Sequence, residues 1–130
     1  MRRISVPSTR REELIDITSL VREEVERAGV SEGCCTVYCP HTTAGLTVNE
    51  HADPAVAADV LTALGRLVPE DGRWTHLEGN SPAHVKASLM GASVQLLISN
   101  GDLALGTWQG VFLCEFDGPR TREVWLSFAP

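Results

Sequence analysis

Two histidines stand eight positions apart in HLEGNSPAHVKAS, residues 76 to 88, on either side of a Gly-Asn-Ser-Pro turn, in a chain with only four histidines. On one continuous helix that spacing would set the rings ~80° apart. Pro82 instead opens a new helix, with Ser81 as its expected cap, so His76 precedes the turn and His84 lies in the first helical turn. The partial positive charge there disfavours imidazolium and favours the neutral ring that a metal or a substrate hydrogen bond needs. Free N–H groups at the helix start, with Ser81 and Lys86, would suit a phosphate. The segment alone fits ordinary surface or hydrogen-bonded histidines equally well.

A second cluster, PHTTAGLTVNEH, shifts that balance. His41 lies at a strand break beside two hydroxyls, and Asn49, Glu50 and His51 follow. Zinc commonly takes three protein ligands and leaves a fourth position open, which three neutral imidazoles would allow. Magnesium would prefer Glu50, Asp53 and phosphate oxygens, although Asp53 more simply caps the helix beginning at Pro54. A third segment, GTWQG, residues 106 to 110, sets glycines around a large ring and an amide. Trp108 is more often core than ligand platform, whereas Gln109 suits a pocket wall. Glu115 is either a general base or a salt-bridge partner of Arg120.

The elements that must position these residues follow from punctuation and periodicity. RISVPS and ELIDIT read as strands, the second leading through Thr18 or Ser19 into a helix with Leu20, Val21, Val25 and Ala28 on one side and Gly29 as its stop. CCTVYC is extended, Pro40 interrupts it, and AGLTVNE resumes the pattern. Asp53-Pro54 starts a core helix whose stripe is Val56, Val60, Leu61, Leu64 and Leu67, ending before Pro69. WTHLE reads as extended, and SPAHVKASLMG as a short helix stopped by Gly91. SVQLLIS and LALGT flank the turn Asn100-Gly101-Asp102, and VFLCEF and EVWLSF flank Asp117-Gly118-Pro119. The expectation is one α+β domain over residues 1–130, a largely antiparallel sheet or sandwich with two or three packed helices.

Composition bounds the partners. Apolar residues make up 43% and charged residues 22% of 130 residues, ordinary for a globular chain. A net charge of -6 argues against nucleic acid, despite Arg2, Arg3, Arg10 and Arg11 near the start. No apolar run reaches the ~20 residues of a membrane helix, so a cytoplasmic location with no membrane partner is expected. Cys34, Cys35, Cys39 and Cys114 lack paired C-x-x-C spacing and are expected to be buried, inert thiols.

Taken together, HTTAGLTVNEHADP, HLEGNSPAHVKASLMG and GTWQGVFLCEFDGPR resemble the YjbQ family, whose members are named as secondary thiamine-phosphate synthases. The resemblance spans nearly the whole chain. It implies an α+β fold, a homotrimer with pockets between subunits, and a divalent metal ion, zinc or magnesium, on His41, His76 and His84. It places Asn49, Asn80, Lys86, Trp108 and Gln109 near a small phosphorylated substrate, with Glu50 and Glu115 as the acid–base candidates. The implied activity joins a pyrimidine diphosphate to a thiazole phosphate and releases pyrophosphate. At His51 the chain departs from the family pattern, where asparagine or a small residue is more usual. The competing expectation is a noncatalytic homotrimer that binds a metal or small molecule.

Overall fold

The computed structural model describes residues 1–130 and contains eight strands and three helices. In chain order these are β1 (Arg2–Pro7), β2 (Glu13–Asp16), α1 (Thr18–Ala28), β3 (Gly33–Tyr38), β4 (Ala44–Glu50), α2 (Pro54–Leu67), α3 (Ser81–Met90), β5 (Ser93–Ser99), β6 (Asp102–Leu103), β7 (Gln109–Glu115) and β8 (Thr121–Ala129). One sheet has the order β1-β8-β3-β5-β6 and the other β2-β7-β4, and every pairing is antiparallel. The fold is therefore the α+β arrangement expected. No helix is long and apolar enough to cross a membrane.

Strand alternation explains the layers. Ile4 and Val6, Cys35 and Val37, Leu96 and Ile98, and Val124 and Leu126 form the inner face of the larger sheet, against Leu46, Val111 and Leu113 of the smaller one. Helix α1 adds Val21 and Val25 to this core. Strand β7 is central in its sheet and buried from Gly110 to Glu115, which is why it reads as a continuous apolar run rather than an alternation. Its other face, with Cys114, joins Leu64 of α2 and Ala83 and Ala87 of α3 in a second core. The four cysteines are free, and Cys35, Cys39 and Cys114 are buried. Burial pushes the Cys35 thiol up to about 11 and Cys114 up to about 12, which keeps both unreactive.

Several local expectations shift. Helix α3 is capped by Asn80 rather than Ser81, because the Asn80 carbonyl already accepts from Ala83 N–H at 3.0 Å. Likewise Ile17, not Thr18 or Ser19, precedes α1, and Thr18 Oγ1 instead donates to Asp16 while accepting from Val111 N–H at 2.9 Å. Asp53 caps α2 as expected, accepting from Ala55 N–H at 2.9 Å. Only Leu64 of the α2 stripe is buried, and Leu67 is exposed. WTHLE is irregular and exposed, since it has no neighbouring strand to pair with, and LALGT contributes only Leu103's two-residue strand before it. Gly45 lets α3 approach β4 closely: a Cβ there would lie 2.8 Å from the Gly91 carbonyl oxygen and 3.0 Å from Met90 Cβ.

Candidate functional site

His76 lies in the irregular segment between α2 and α3, and His84 is a half-buried residue of α3. Pro82 and the left-handed Gly79, with φ of 74°, turn the chain so that the two rings meet edge to face, centroids 5.1 Å apart at 89°. Both line an open cleft of about 760 Å³ with Arg73, Trp74 and Ser81. Glu78 lies 3.8 Å from His76 Nε2. The cleft thus offers two ring nitrogens, a guanidinium, a hydroxyl and a carboxylate to a polar small molecule.

His84 also lines a second groove of about 400 Å³, with His41, Thr42 and Ser88. His41 therefore shares a groove with His84 but not the cleft of His76. No group of three histidine, cysteine, aspartate or glutamate side chains in this chain is arranged to hold a metal ion. The chain thus brings His76 and His84 together but does not bring His41 into their cleft.

His41 is half-buried, and its Nε2 accepts the Glu123 N–H at 2.9 Å. Burial and then the nearby Arg122 charge hold its pKa below the ordinary value, against the opposing charges of Glu115 and Glu123.

Glu115 is 0% exposed, on the inner face of β7 at the end of the sandwich. Its carboxylate accepts from Arg122 Nε at 2.9 and 3.1 Å, from Arg122 Nη2, from Ser8 Oγ at 2.7 Å and from the Asp117 N–H at 3.1 Å. Arg122 reaches on to Thr43 Oγ1 at 2.9 Å. Burial pushes the Glu115 carboxyl up, but these hydrogen bonds from Arg122, Ser8 and Asp117 outweigh it and hold the group below its usual range. A carboxylate with four donor groups and no surface is a poor base. The expected pairing with Arg120 is replaced: Arg120 lies in the turn before β8 and bonds Asp117 at the surface, whereas Arg122, inside the strand, points into the core. The sequence offered one signal for this, since Arg122 keeps the inward parity of Val124 and Leu126.

The remaining residues divide between two ends of the smaller sheet. Asn80 Nδ2 donates to Asp117 at 3.0 Å, while its Oδ1 is buried without a partner. Lys86, 1% exposed, is bound to Glu12 at 2.7 Å instead of facing the cleft. These belong to the α3 end with the histidines. Asn49, Glu50 and Gln109 lie at the other end of β4 and β7, where Asn49 pairs with Gly110 and Glu50 with Gln109. Six residue steps separate Ala44 from Glu50, so roughly 20 Å of strand lies between the two ends. Asn49 Oδ1 accepts from Glu50 N–H at 2.7 Å, and Gln109 Oε1 accepts from Gly106 N–H at 2.8 Å. Trp108 is 62% exposed, against the general preference for core. Nearby His51 bonds Asp16 at 2.9 Å and sits against Gly110, which ties it to a structural partner.

Two antiparallel sheets, a cover of α2 and α3, and a paired-imidazole cleft at the start of α3 define a small α+β protein with a polar surface site. A family model described as UPF0047 protein YjbQ-like matches residues 2–130, and the chain belongs to this family. It is 46% identical over 128 residues to UPF0047 protein YugU of Bacillus subtilis, covering 98% of this chain and 97% of that protein. Identity to UPF0047 protein MJ1081 of Methanocaldococcus jannaschii is 48% over 122 residues, covering 94% and 88%. A crystal structure of an uncharacterized conserved YjbQ/UPF0047 family protein from Clostridium acetobutylicum superposes with a TM-score of 0.97 at 50% identity, covering 99% of this chain and all (100%) of that one.

Proposed function

We propose that the cleft of His76 and His84 binds a small phosphorylated molecule and that the protein is a transferase of the thiamine-phosphate synthase type, joining a pyrimidine diphosphate to a thiazole phosphate. The observation that carries this reading is the edge-to-face imidazole pair at the start of α3, open to solvent beside Arg73 and Ser81. Ser81, at the start of helix α3, lines the same cleft, so the positive end of the helix dipole lies beside it, which suits an anionic group. A divalent cation on His76 and His84 would neutralise diphosphate charge, with its other positions filled from outside the single-chain set.

The assembly belongs to the same proposal. Asn49, Glu50, Trp108 and Gln109 are too far along β4 and β7 to reach the cleft of their own subunit, so a homotrimer that sets them beside a neighbour's His76 and His84 unites the motifs. Exposed Leu77, Leu89 and Trp108 supply apolar surface for such contacts. The alternative, a noncatalytic binding trimer, shares this geometry and differs only in turnover. Incubating metal-supplemented protein with both thiamine precursors separates them. The transferase reading expects thiamine phosphate from the native protein and none from His84→Ala. Product at control level from both would sink it.

A further inference from the structure

The position of His41 is set by where β3 stops pairing with β8. The last pair is Tyr38 with Trp125, after which Pro40 leads the chain out of the sheet. Glu123, two residues back along β8, has lost that strand neighbour, and its N–H donates to His41 Nε2 at 2.9 Å. A peptide N–H can only donate, so Nε2 must hold a lone pair, and a neutral ring must then carry its proton on Nδ1. A flipped ring would set Cε1 against that donor and lose the bond.

Metal-bound histidines are held the other way round, donating their second ring N–H to an acceptor. A neutral imidazole has one lone pair, and the Glu123 amide already uses that of His41. Coordination through Nε2 would displace the amide. Coordination through Nδ1 would need either a fully deprotonated ring or loss of the same bond. The bond to Glu123 is the one hydrogen bond the ring makes, and the ring lines the groove with His84 and Ser88.

We propose that His41 is a tautomer-locked Nδ1–H donor serving an acceptor oxygen of a small molecule in the His41–His84 groove, and that it is not a ligand of any cation held by His76 and His84. The identity of that molecule rests on the function proposed above; the tautomer and the separation from the cation do not.

The test is long-range proton–nitrogen NMR of the imidazoles in the full-length protein, with and without zinc, signals being assigned by replacing each histidine in turn. The expected result is a protonated Nδ1 and bare Nε2 for His41, with zinc moving the ring nitrogens of His76 and His84 only. His41→Gln places a carbonyl oxygen near the former Nε2 and so keeps an acceptor for Glu123. It should leave zinc affinity within about twofold, whereas His84→Ala weakens it about tenfold or more. An Nε2–H tautomer, zinc-dependent movement of the His41 nitrogens, or a His41→Gln loss equal to that of His84→Ala would each overturn the proposal. If zinc binds nowhere, the metal part of the proposed function fails while the tautomer is still read directly.

Discussion

Among individual residues, the largest energetic stakes lie in the pair Glu115 and Arg122, which is sealed in the end of the sandwich. Removing one partner strands the other charge in the interior. Arg122→Met should therefore cost about 3–5 kcal/mol of stability, measured by urea unfolding, and a loss below about 1 kcal/mol would show that water reaches the carboxylate. His41 adds a pH dependence whose sign follows from its lowered pKa. The unfolded chain binds the proton first, near 6.5, so stability is full above that value and falls as pH drops toward the folded value. Urea midpoints at pH 7.5 and 5.5 should differ less in His41→Gln than in the native protein; equal differences would refute the assignment. The histidines were visible from sequence as residues at breaks, and Pro82 explained the meeting of His76 and His84. The commitments of Glu115 to Arg122, Lys86 to Glu12 and His41 to Glu123 were not, because each joins residues 7 to 82 positions apart whose encounter only packing creates.

The elements place the site through the contact of α3 with β4. Gly45 permits it, and Gly45→Ala must displace the Gly91 carbonyl or Met90, backbone and side chain of the helix end. The expected penalty is about 1–3 kcal/mol in urea unfolding, with a changed environment for the His84 ring by NMR. An unaltered midpoint would mean that α3 can move without cost. Most strands and all three helices follow from alternation, caps and stop signals, with boundaries shifted by a residue or so at Ile17 and Asn80. WTHLE misled because threonine, tryptophan and an apolar neighbour satisfy strand preference, yet a strand exists only where a partner edge is free. The α2 stripe was followed in part: Leu64 is buried, Val60 and Leu61 pack against the same small core, and only Leu67, beyond the narrow smaller sheet, is exposed.

At the scale of the molecule, the motif residues of one chain stand at two ends of a sheet, and the proposed trimer brings the ends of different copies together. Mixing is the decisive measurement. His84→Ala and Trp108→Ala proteins, dissociated and reassembled together, should make more thiamine phosphate than either alone, because some shared pockets then have both halves intact. Activity no greater than the average of the two would place each site within one subunit. Sedimentation of the native chain should show a trimer, and Leu89→Glu should shift it toward smaller species.

The order of most strands and helices, the antiparallel α+β character and the turn between His76 and His84 were legible in the sequence alone, because short-range periodicity, caps and turns specify them. Which histidine nitrogen is free, which arginine neutralises Glu115, and how far Glu50 and Gln109 lie from the cleft were decided by the tertiary structure. Those depend on strand register and on which layer a face is buried against, and both arise only when residues distant in the chain compete for the same interior.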